Sequence, residues 1–244
     1  MVNRNTRPWL SGTSLTERQR VPFLLALSLA LLALWAFYAV GLRPLIPLLS
    51  PPQEELVGWM ARTTFWLVPC FVYLRLVRRS SWSEPLALGF PGGRKHMLLA
   101  GSVTLVVGIL LFLGTAQQRG IAPVALALAF GDQAYVRLTA PLFEELVFRG
   151  VILSETMAIA ASGTRRAGVR WGALGIGQAL AALLFTLIHW PWWIMQRGMT
   201  ATVTDSVPLF TTGLVLGLVF HSTKSIWPCV ILHWFNNELS RLVH

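Results

Sequence analysis

The sequence predicts an all-α protein, a polytopic transmembrane helical bundle of about seven spans, within a range of roughly six to eight. Composition is the first reason, because 55% of the 244 residues are hydrophobic and only 12% are charged, whereas soluble domains carry about 25% charged residues. The second is that apolar runs recur at about the 20 residues that a helix needs to cross the hydrocarbon core. The third is that Pro and Gly separate these runs, as in RPLIPLLSPP and LGFPGGRK.

The first apolar run, Val21 to Leu42, contains no charged residue. It is longer than the roughly 7–15 residues of a signal-peptide core, and further apolar runs follow, so we interpret it as a retained span. The predicted spans are residues 21–42, 56–74, 97–116, 134–160, 171–195, 207–223 and 226–243. We divide the chain into a basic tail (1–20), N-terminal transmembrane helices (21–120) and a C-terminal transmembrane core (121–244).

The net charge of +10 has two interpretations. A nucleic-acid interface would gather the cations on one face among exposed aromatic residues, but here apolar spans separate them, so no nucleic-acid partner is expected. With the predicted spans, thirteen Lys and Arg residues lie on one side of the membrane, and four lie on the other: Arg43, Arg119, Arg197 and Arg241. The positive-inside rule then places the N-terminus in the cytoplasm. We expect an integral, multi-pass protein in a lipid bilayer, which is the cytoplasmic membrane if the source is prokaryotic.

The two cysteines, Cys70 and Cys229, each lie inside an apolar run. Two single cysteines without a CxxC pair or partner histidines form neither a disulfide framework nor a zinc site. We therefore predict that both are small buried residues.

Polar residues inside the predicted spans are few and clustered, chiefly in APLFEELVFRG, FTLIHW and LHWFNNELS. A charged side chain at mid-membrane costs about 2.5–3.5 kcal/mol on insertion scales, so such residues normally face a partner or a wet cavity. Six of these residues are candidates for a functional site: Glu144, Glu145, Arg149, His189, His233 and Asn237.

Helical spacing divides these candidates into groups. Glu145 and Arg149 are four residues apart with the acid first, which favours an ion pair on one face. Glu144 lies about 100° around the helix from Glu145, so the same arginine is not expected to neutralise it. His233 and Asn237 are also four apart and share a face. One glutamate, two histidines and one asparagine thus need partners, and a single polar cavity would satisfy all of them.

Such a cavity is suited to hydrolysis. A carboxylate in a pocket of low dielectric can take a proton from water, and a histidine can orient that water or protonate a leaving amine. A second histidine with an asparagine can donate hydrogen bonds to a developing oxyanion. The same residue types could instead bind zinc, since one Glu and two His form a known three-ligand catalytic set. The side chains by themselves leave both mechanisms open.

Structural roles compete with these functional ones. Glu145 with Arg149 fits a structural ion pair better than a catalytic one, Glu144 could form a helix-packing hydrogen bond, and His189 could be an interfacial histidine. Glu155, three turns below Glu144 on a similar face, is a lesser candidate for the cavity entrance. The structural roles do not explain why all these groups occur together.

The three motifs resemble those of a known family. EELVFR (144–149) is similar to the EExxxR motif of the CPBP family, which comprises the type II CAAX prenyl proteases, the bacteriocin-processing enzymes and the abortive-infection proteins. FTLIH (185–189) resembles the family's FxxxH motif, and HWFNN (233–237) resembles its third motif, a histidine followed four residues later by Asn or Asp. The resemblance covers roughly residues 130–244 and includes the motifs in their expected order.

The resemblance implies an intramembrane endopeptidase, with residues 121–244 as its catalytic core and its active site between the C-terminal helices. Glu144 would be the base that activates water and His189 its partner. His233 and Asn237 would form the oxyanion side, and a further pair, Glu145 and Arg149, would support the site. The substrate would be a membrane-anchored, prenylated, leader-bearing or tail-bearing peptide or protein. No cofactor is expected; zinc is the alternative, with Glu144, His189 and His233 as its ligands.

Two other functions remain as alternatives. One is a catalytically silent membrane scaffold or chaperone with the same fold, and the other is a small transporter, although inverted repeats are not evident. The predicted spans also place His189 nearer the outer end and His233 nearer the inner end. A single site therefore requires the fourth or seventh helix to be tilted, shifted or broken.

Overall fold

The computed structural model describes residues 16–45, 51–78, 94–120, 139–162, 167–223 and 225–243. Nearly all of these residues are helical, and no strand occurs among them. The predicted all-α class is therefore confirmed. The α-helices in these ranges are α1 (Glu17–Ala36), α2 (Pro51–Arg62), α3 (Val68–Tyr73), α4 (Arg94–Arg119), α5 (Thr139–Glu145), α6 (Ser154–Ser162), α7 (Ala167–Leu187), α8 (Trp190–Thr223) and α9 (Trp227–Val243).

Wider, π-helical turns continue several of these helices. They are Phe37–Leu42 after α1, Thr63–Leu67 and Leu74–Arg78 on either side of α3, and Leu146–Leu153 between α5 and α6. A short 3₁₀ turn, Arg43–Leu45, ends the first helical run. π-helical turns shift the helix faces that follow them and are frequent at functional sites. The eight-residue stretch Leu146–Leu153 therefore marks a candidate functional region.

Helix α1 begins before the predicted end of the basic tail. Thr16 caps it, with its hydroxyl accepting from the Gln19 amide at 3.4 Å while the Gln19 side chain accepts from the Thr16 amide at 2.9 Å. This reciprocal capping box satisfies two backbone donors that the first turn would otherwise leave free. Residues 17–20 of the predicted tail therefore belong to the helix, and its first fifteen residues lie outside the described ranges.

Three helical runs are long and apolar enough to cross a membrane: Gln19–Leu45, Leu56–Val77 and Trp190–Thr223. They correspond to the first, second and sixth predicted spans. Gly101–Gly114 and Gly175–Leu187 are apolar but shorter. Six of the seventeen cations behind the predicted orientation lie outside the described residues. The seven-span count and the cytoplasmic N-terminus thus stay predictions.

The predicted fifth span, 171–195, is wrong at its C-terminal end. Helix α7 ends at Leu187, a turn follows, and α8 begins at Trp190. Pro191 explains the break, because its missing N–H and fixed φ suit the first turn of a new helix rather than the interior of an old one. Helix α8 is itself divided at Gly198, whose φ of 79° and ψ of 170° are accessible mainly to glycine.

The core forms around the π-helical stretch Leu146–Leu153, in which every residue is buried. Phe148 is at its centre and packs edge-on against Trp66 at 6.2 Å and against Phe185 at 5.2 Å between ring centroids. Large apolar side chains such as Leu29 and Leu76 remain exposed at the surface, as expected where the surroundings are lipid. The central helix is thus enclosed by protein on all sides.

Both cysteines are buried and free, as the sequence predicted. The Cys229 thiol contacts the Leu216 carbonyl oxygen at 3.3 Å and so joins α9 to α8.

Candidate active site

The two adjacent glutamates end helix α5, just before the π-helical stretch. Both are buried, with 7% of Glu144 and none of Glu145 exposed. Two buried carboxylates on successive residues point about 100° apart on a helix. They therefore meet different partners, as the spacing had indicated.

Glu145 joins two helices through its two oxygens. Oε2 lies 3.1 Å from Nε of Arg149, one turn along the same chain segment. Oε1 lies 2.8 Å from Nδ1 of His233 on α9. The structure thus contains the ion pair predicted from the spacing, and it adds a bond to His233 that the sequence analysis did not foresee.

Arg149 extends this connection to α8. Its Nη2 donates to the backbone carbonyl oxygen of Gly213 at 3.2 Å. Its guanidinium carbon lies 4.7 Å from the centroid of the Phe185 ring, a distance at which a cation is attracted to an aromatic face. The buried charge of Arg149 is therefore balanced by one carboxylate and held by a carbonyl and a ring.

His189 lies in the turn between α7 and α8. Its Nδ1 is 2.7 Å from the carbonyl oxygen of Phe185. Since a carbonyl oxygen can only accept, Nδ1 carries the proton, and Nε2 of the neutral ring has a lone pair. That Nε2 lies 3.7 Å from Oε2 of Glu144.

The same reasoning applies to His233. Its Nδ1 faces the Glu145 carboxylate, which accepts a hydrogen bond, so Nε2 has the lone pair when the ring is neutral. This Nε2 lies 3.5 Å from Oε2 of Glu144. Two imidazoles thus direct their Nε2 atoms at one carboxylate oxygen, and that oxygen has no hydrogen-bond partner among the described residues.

Phe185 has a role in the site that the motif alone did not reveal. Its ring centroid lies 5.1 Å from that of His189 and 5.5 Å from that of His233, edge-on to both. Its carbonyl accepts from His189, and its face contacts Arg149. The sequence signal was the phenylalanine that opens the FxxxH motif.

Asn237 and Glu155 are placed differently from the other candidates. Asn237 is half-buried one turn beyond His233, with no hydrogen bond to the other five candidates in the described ranges. Glu155 does not line a cavity entrance: it is 1% exposed and accepts from Arg20 at 2.7 Å and from the Tyr73 hydroxyl at 3.2 Å. The structure accordingly brings together Glu144, Glu145, Arg149, His189 and His233, and it places Glu155 in a separate buried cluster.

The predicted zinc ligands were Glu144, His189 and His233. Over the described residues, no group of three or more His, Cys, Asp or Glu side chains has an arrangement that could hold a metal ion. The zinc alternative with these three ligands stays a prediction.

The apolar helices and the buried cluster of acids and imidazoles define an integral membrane protein with a polar internal site. Residues 126–239, just under half of the chain, match the model of the family described as type II CAAX prenyl endopeptidase Rce1-like. The resemblance to the CPBP family noted from the three motifs is thereby confirmed, and the family is one of proteases. No curated protein and no solved structure matches the chain.

Proposed function

We propose that the protein is an intramembrane endopeptidase that hydrolyses a peptide bond with water activated by Glu144 and His189. The observation that carries this proposal is the position of Glu144 Oε2. It is buried, has no hydrogen-bond partner in the described part of the chain, and lies 3.5 and 3.7 Å from the two Nε2 atoms. A buried acceptor without a hydrogen bond costs free energy. A water molecule that donates to Oε2 would remove this cost, and water is also the reactant in hydrolysis.

In the proposed mechanism, one water proton is donated to Oε2 of Glu144 and the other to Nε2 of His189. Both atoms are acceptors when the carboxylate is ionised and the imidazole neutral, so the water oxygen directs a lone pair at the substrate. Glu144 removes a proton as the oxygen adds to the carbonyl carbon. The resulting tetrahedral intermediate then expels the amine, and Glu144 returns the proton to the amine nitrogen.

His233 would stabilise the oxyanion. In its protonated form, Nδ1–H donates to the Glu145 carboxylate and Nε2–H is free to donate to the negative oxygen. The Glu145 carboxylate, itself held by Arg149, accepts from Nδ1 and so fixes the ring orientation that directs Nε2 into the site. Asn237, on the same face of α9, would supply a second donor from its side-chain amide.

The proposed substrate is a membrane-anchored, prenylated, leader-bearing or tail-bearing peptide or protein. A buried site within apolar helices selects for a chain segment already held at the bilayer, because a soluble peptide would have to cross lipid headgroups to reach it. Support for the prenylated class comes from the family description, which names a CAAX prenyl endopeptidase.

The test compares membrane peptidomes from cells that contain the wild-type protein, Glu144→Gln or Glu155→Gln. Glutamine keeps the shape of Glu144 but is a far weaker base, so we expect a precursor to accumulate and its cleavage product to disappear. Glu155→Gln is the matched control, with products normalised to folded protein, because it removes a carboxylate of similar burial from the same helical run but outside the site.

Product formation by Glu144→Gln at the wild-type rate would refute the proposed chemistry. Identical peptidomes, together with a cellular phenotype that survives replacement of Glu144, His189 and His233, would instead support the scaffold function.

A further inference from the structure

Helices α7 and α8 pack closely together at Gly213. A Cβ atom added there would lie 3.0 Å from Cβ and 3.2 Å from Cα of Ala182 on α7. Carbon atoms in favourable contact are about 3.5–4.0 Å apart. An alanine at this position therefore requires the two helix backbones to separate by a few tenths of an ångström, since the Cα of Ala182 cannot rotate away.

This close approach is next to the carbonyl that holds Arg149. The Gly213 oxygen accepts from Nη2 of Arg149 at 3.2 Å. Arg149 Nε is 3.1 Å from Glu145, and Glu145 is 2.8 Å from His233. An unbroken series of polar contacts thus runs from the backbone of α8 to an imidazole of the candidate active site.

We propose that Gly213 is a positioning residue for His233. Because it has no side chain, α8 packs close enough to α7 for its carbonyl to hold the guanidinium of Arg149 in the one orientation that also binds Glu145. Glu145 in turn fixes the ring orientation and the tautomer of His233, in the way that outer-shell partners orient catalytic or metal-binding histidines. This inference rests on the proposed protease function only for its effect on turnover, and the orientation of His233 can be measured separately.

The chain contains a matched control one turn along the same helix. Gly217 is also buried and close to α7, but an added Cβ would meet the side chain of Gln178, with Cγ and Nε2 at 3.1 Å. The Gln178 side chain can move if it gives up the hydrogen bond from its Nε2 to the Leu214 carbonyl oxygen at 2.7 Å, whereas the Ala182 backbone cannot move by itself. Replacement of either glycine by alanine brings the same gain in helix propensity, about 1 kcal/mol, so the two variants differ mainly in what their new methyl group meets.

The first experiment measures product formation in the peptidome assay for Gly213→Ala, Gly217→Ala and the double variant Ala182→Gly/Gly213→Ala. We expect Gly213→Ala to reduce turnover by about 10- to 100-fold, as loss of an outer-shell contact does, and Gly217→Ala to remain close to wild type. The double variant removes the 3.0 Å contact with the Ala182 methyl group and keeps the 3.2 Å contact with the Cα at position 182, so it should recover part of the turnover.

The second experiment records ¹⁵N–¹H NMR spectra of the same variants in detergent, with ¹⁵N-labelled histidine. The Nδ1–H proton of His233, bonded to a carboxylate, should give a downfield signal that Gly213→Ala shifts or loses and that Gly217→Ala retains. The double variant should restore that signal. This readout does not depend on proteolysis, so it separates a failure of this inference from a failure of the proposed function.

Two results would overturn the inference. One is an unchanged His233 signal in Gly213→Ala. The other is a loss of signal and turnover in Gly217→Ala as large as in Gly213→Ala, which would mean that any change in α7–α8 packing has the same effect. If Gly213→Ala fails to fold, the inference requires that the double variant folds and shows the His233 signal. A double variant that folds without this signal would contradict the inference.

Discussion

Nδ1 of His233 lies 2.8 Å from Oε1 of Glu145, although the two residues are 88 positions apart in the chain. The second glutamate of the EE pair therefore orients a histidine of the candidate site in addition to neutralising Arg149. The first glutamate has the opposite character, since its Oε2 is buried beside two imidazoles without a hydrogen bond in the described residues. Substitution of Glu144 and substitution of Glu145 should therefore have different effects on stability and activity.

Glu145→Gln should lower both stability and activity. It leaves the buried guanidinium of Arg149 without a counter-charge, which costs about 3–5 kcal/mol when one partner of a buried pair is removed. It also weakens the bond that orients His233. Thermal unfolding in detergent should show the loss for Glu145→Gln, whereas Glu144→Gln should unfold at or above the wild-type temperature. Equal unfolding temperatures for the two variants would contradict the different roles.

Phe185→Leu should lower turnover by about tenfold or more, because the leucine cannot contact both imidazoles and the Arg149 guanidinium as the ring does. The backbone carbonyl that accepts from His189 is retained. The lost burial and ring contacts should cost about 1–3 kcal/mol of stability.

The control for Phe185 is Phe220→Leu, since Phe220 is also buried and has no recorded ring contact with either imidazole in the described ranges. It should unfold at a lower temperature than wild type and keep its turnover per folded molecule. If both leucine variants lose turnover in proportion to stability, Phe185 has only a packing role.

The Arg20–Glu155–Tyr73 cluster should be important for stability and not for chemistry. Arg20→Met leaves the buried Glu155 carboxylate without the cation 2.7 Å away, and we expect a loss of about 3–5 kcal/mol. Arg20→Met combined with Glu155→Leu removes both charges and should regain much of that loss. Turnover per folded molecule should stay at the wild-type level in each, as measured by peptidomics normalised to folded protein. An unfolding temperature unchanged in Arg20→Met would contradict this role.

Chelation distinguishes the two ways of activating water. We expect the purified protein to contain zinc well below one equivalent, and its cleavage activity to survive dialysis against a chelator, because a buried carboxylate and a neutral imidazole can activate water by themselves. Elemental analysis and activity before and after chelation provide the measurement. Activity that disappears on chelation and returns with one equivalent of zinc would favour the metal mechanism, with Glu144, His189 and His233 as ligands.

Much of the site was predictable from the sequence, because some of its contacts lie within one helix and others join polar groups that would be costly to leave in lipid. The Glu145–Arg149 pair follows from a four-residue spacing within one helix. The need for Glu144, His189 and His233 to share a cavity follows from the cost of leaving each in lipid. The fourth predicted span does change to π-helical turns at Leu146, and His189 lies in a turn beyond α7 rather than inside a helix.

Other contacts were not predictable from spacing. Arg20 belongs to the predicted basic tail, yet it is buried against Glu155, 135 residues away in the chain. Gly213 lies outside the three motifs, and its proposed role in positioning His233 depends on how near Ala182 lies on the neighbouring helix. Both facts concern distances between helices.

The sequence by itself determined the helical class, the apolar runs, the residue types available for hydrolysis and the faces that neighbouring residues share, because these depend on composition and on the period of one helix. Only the tertiary structure decided that His233 is held by Glu145, that Arg149 reaches α8, and that Glu155 belongs to a different cluster. The reason is physical: periodicity sets angles within a helix, whereas the packing of side chains between helices sets which atoms come within hydrogen-bonding distance.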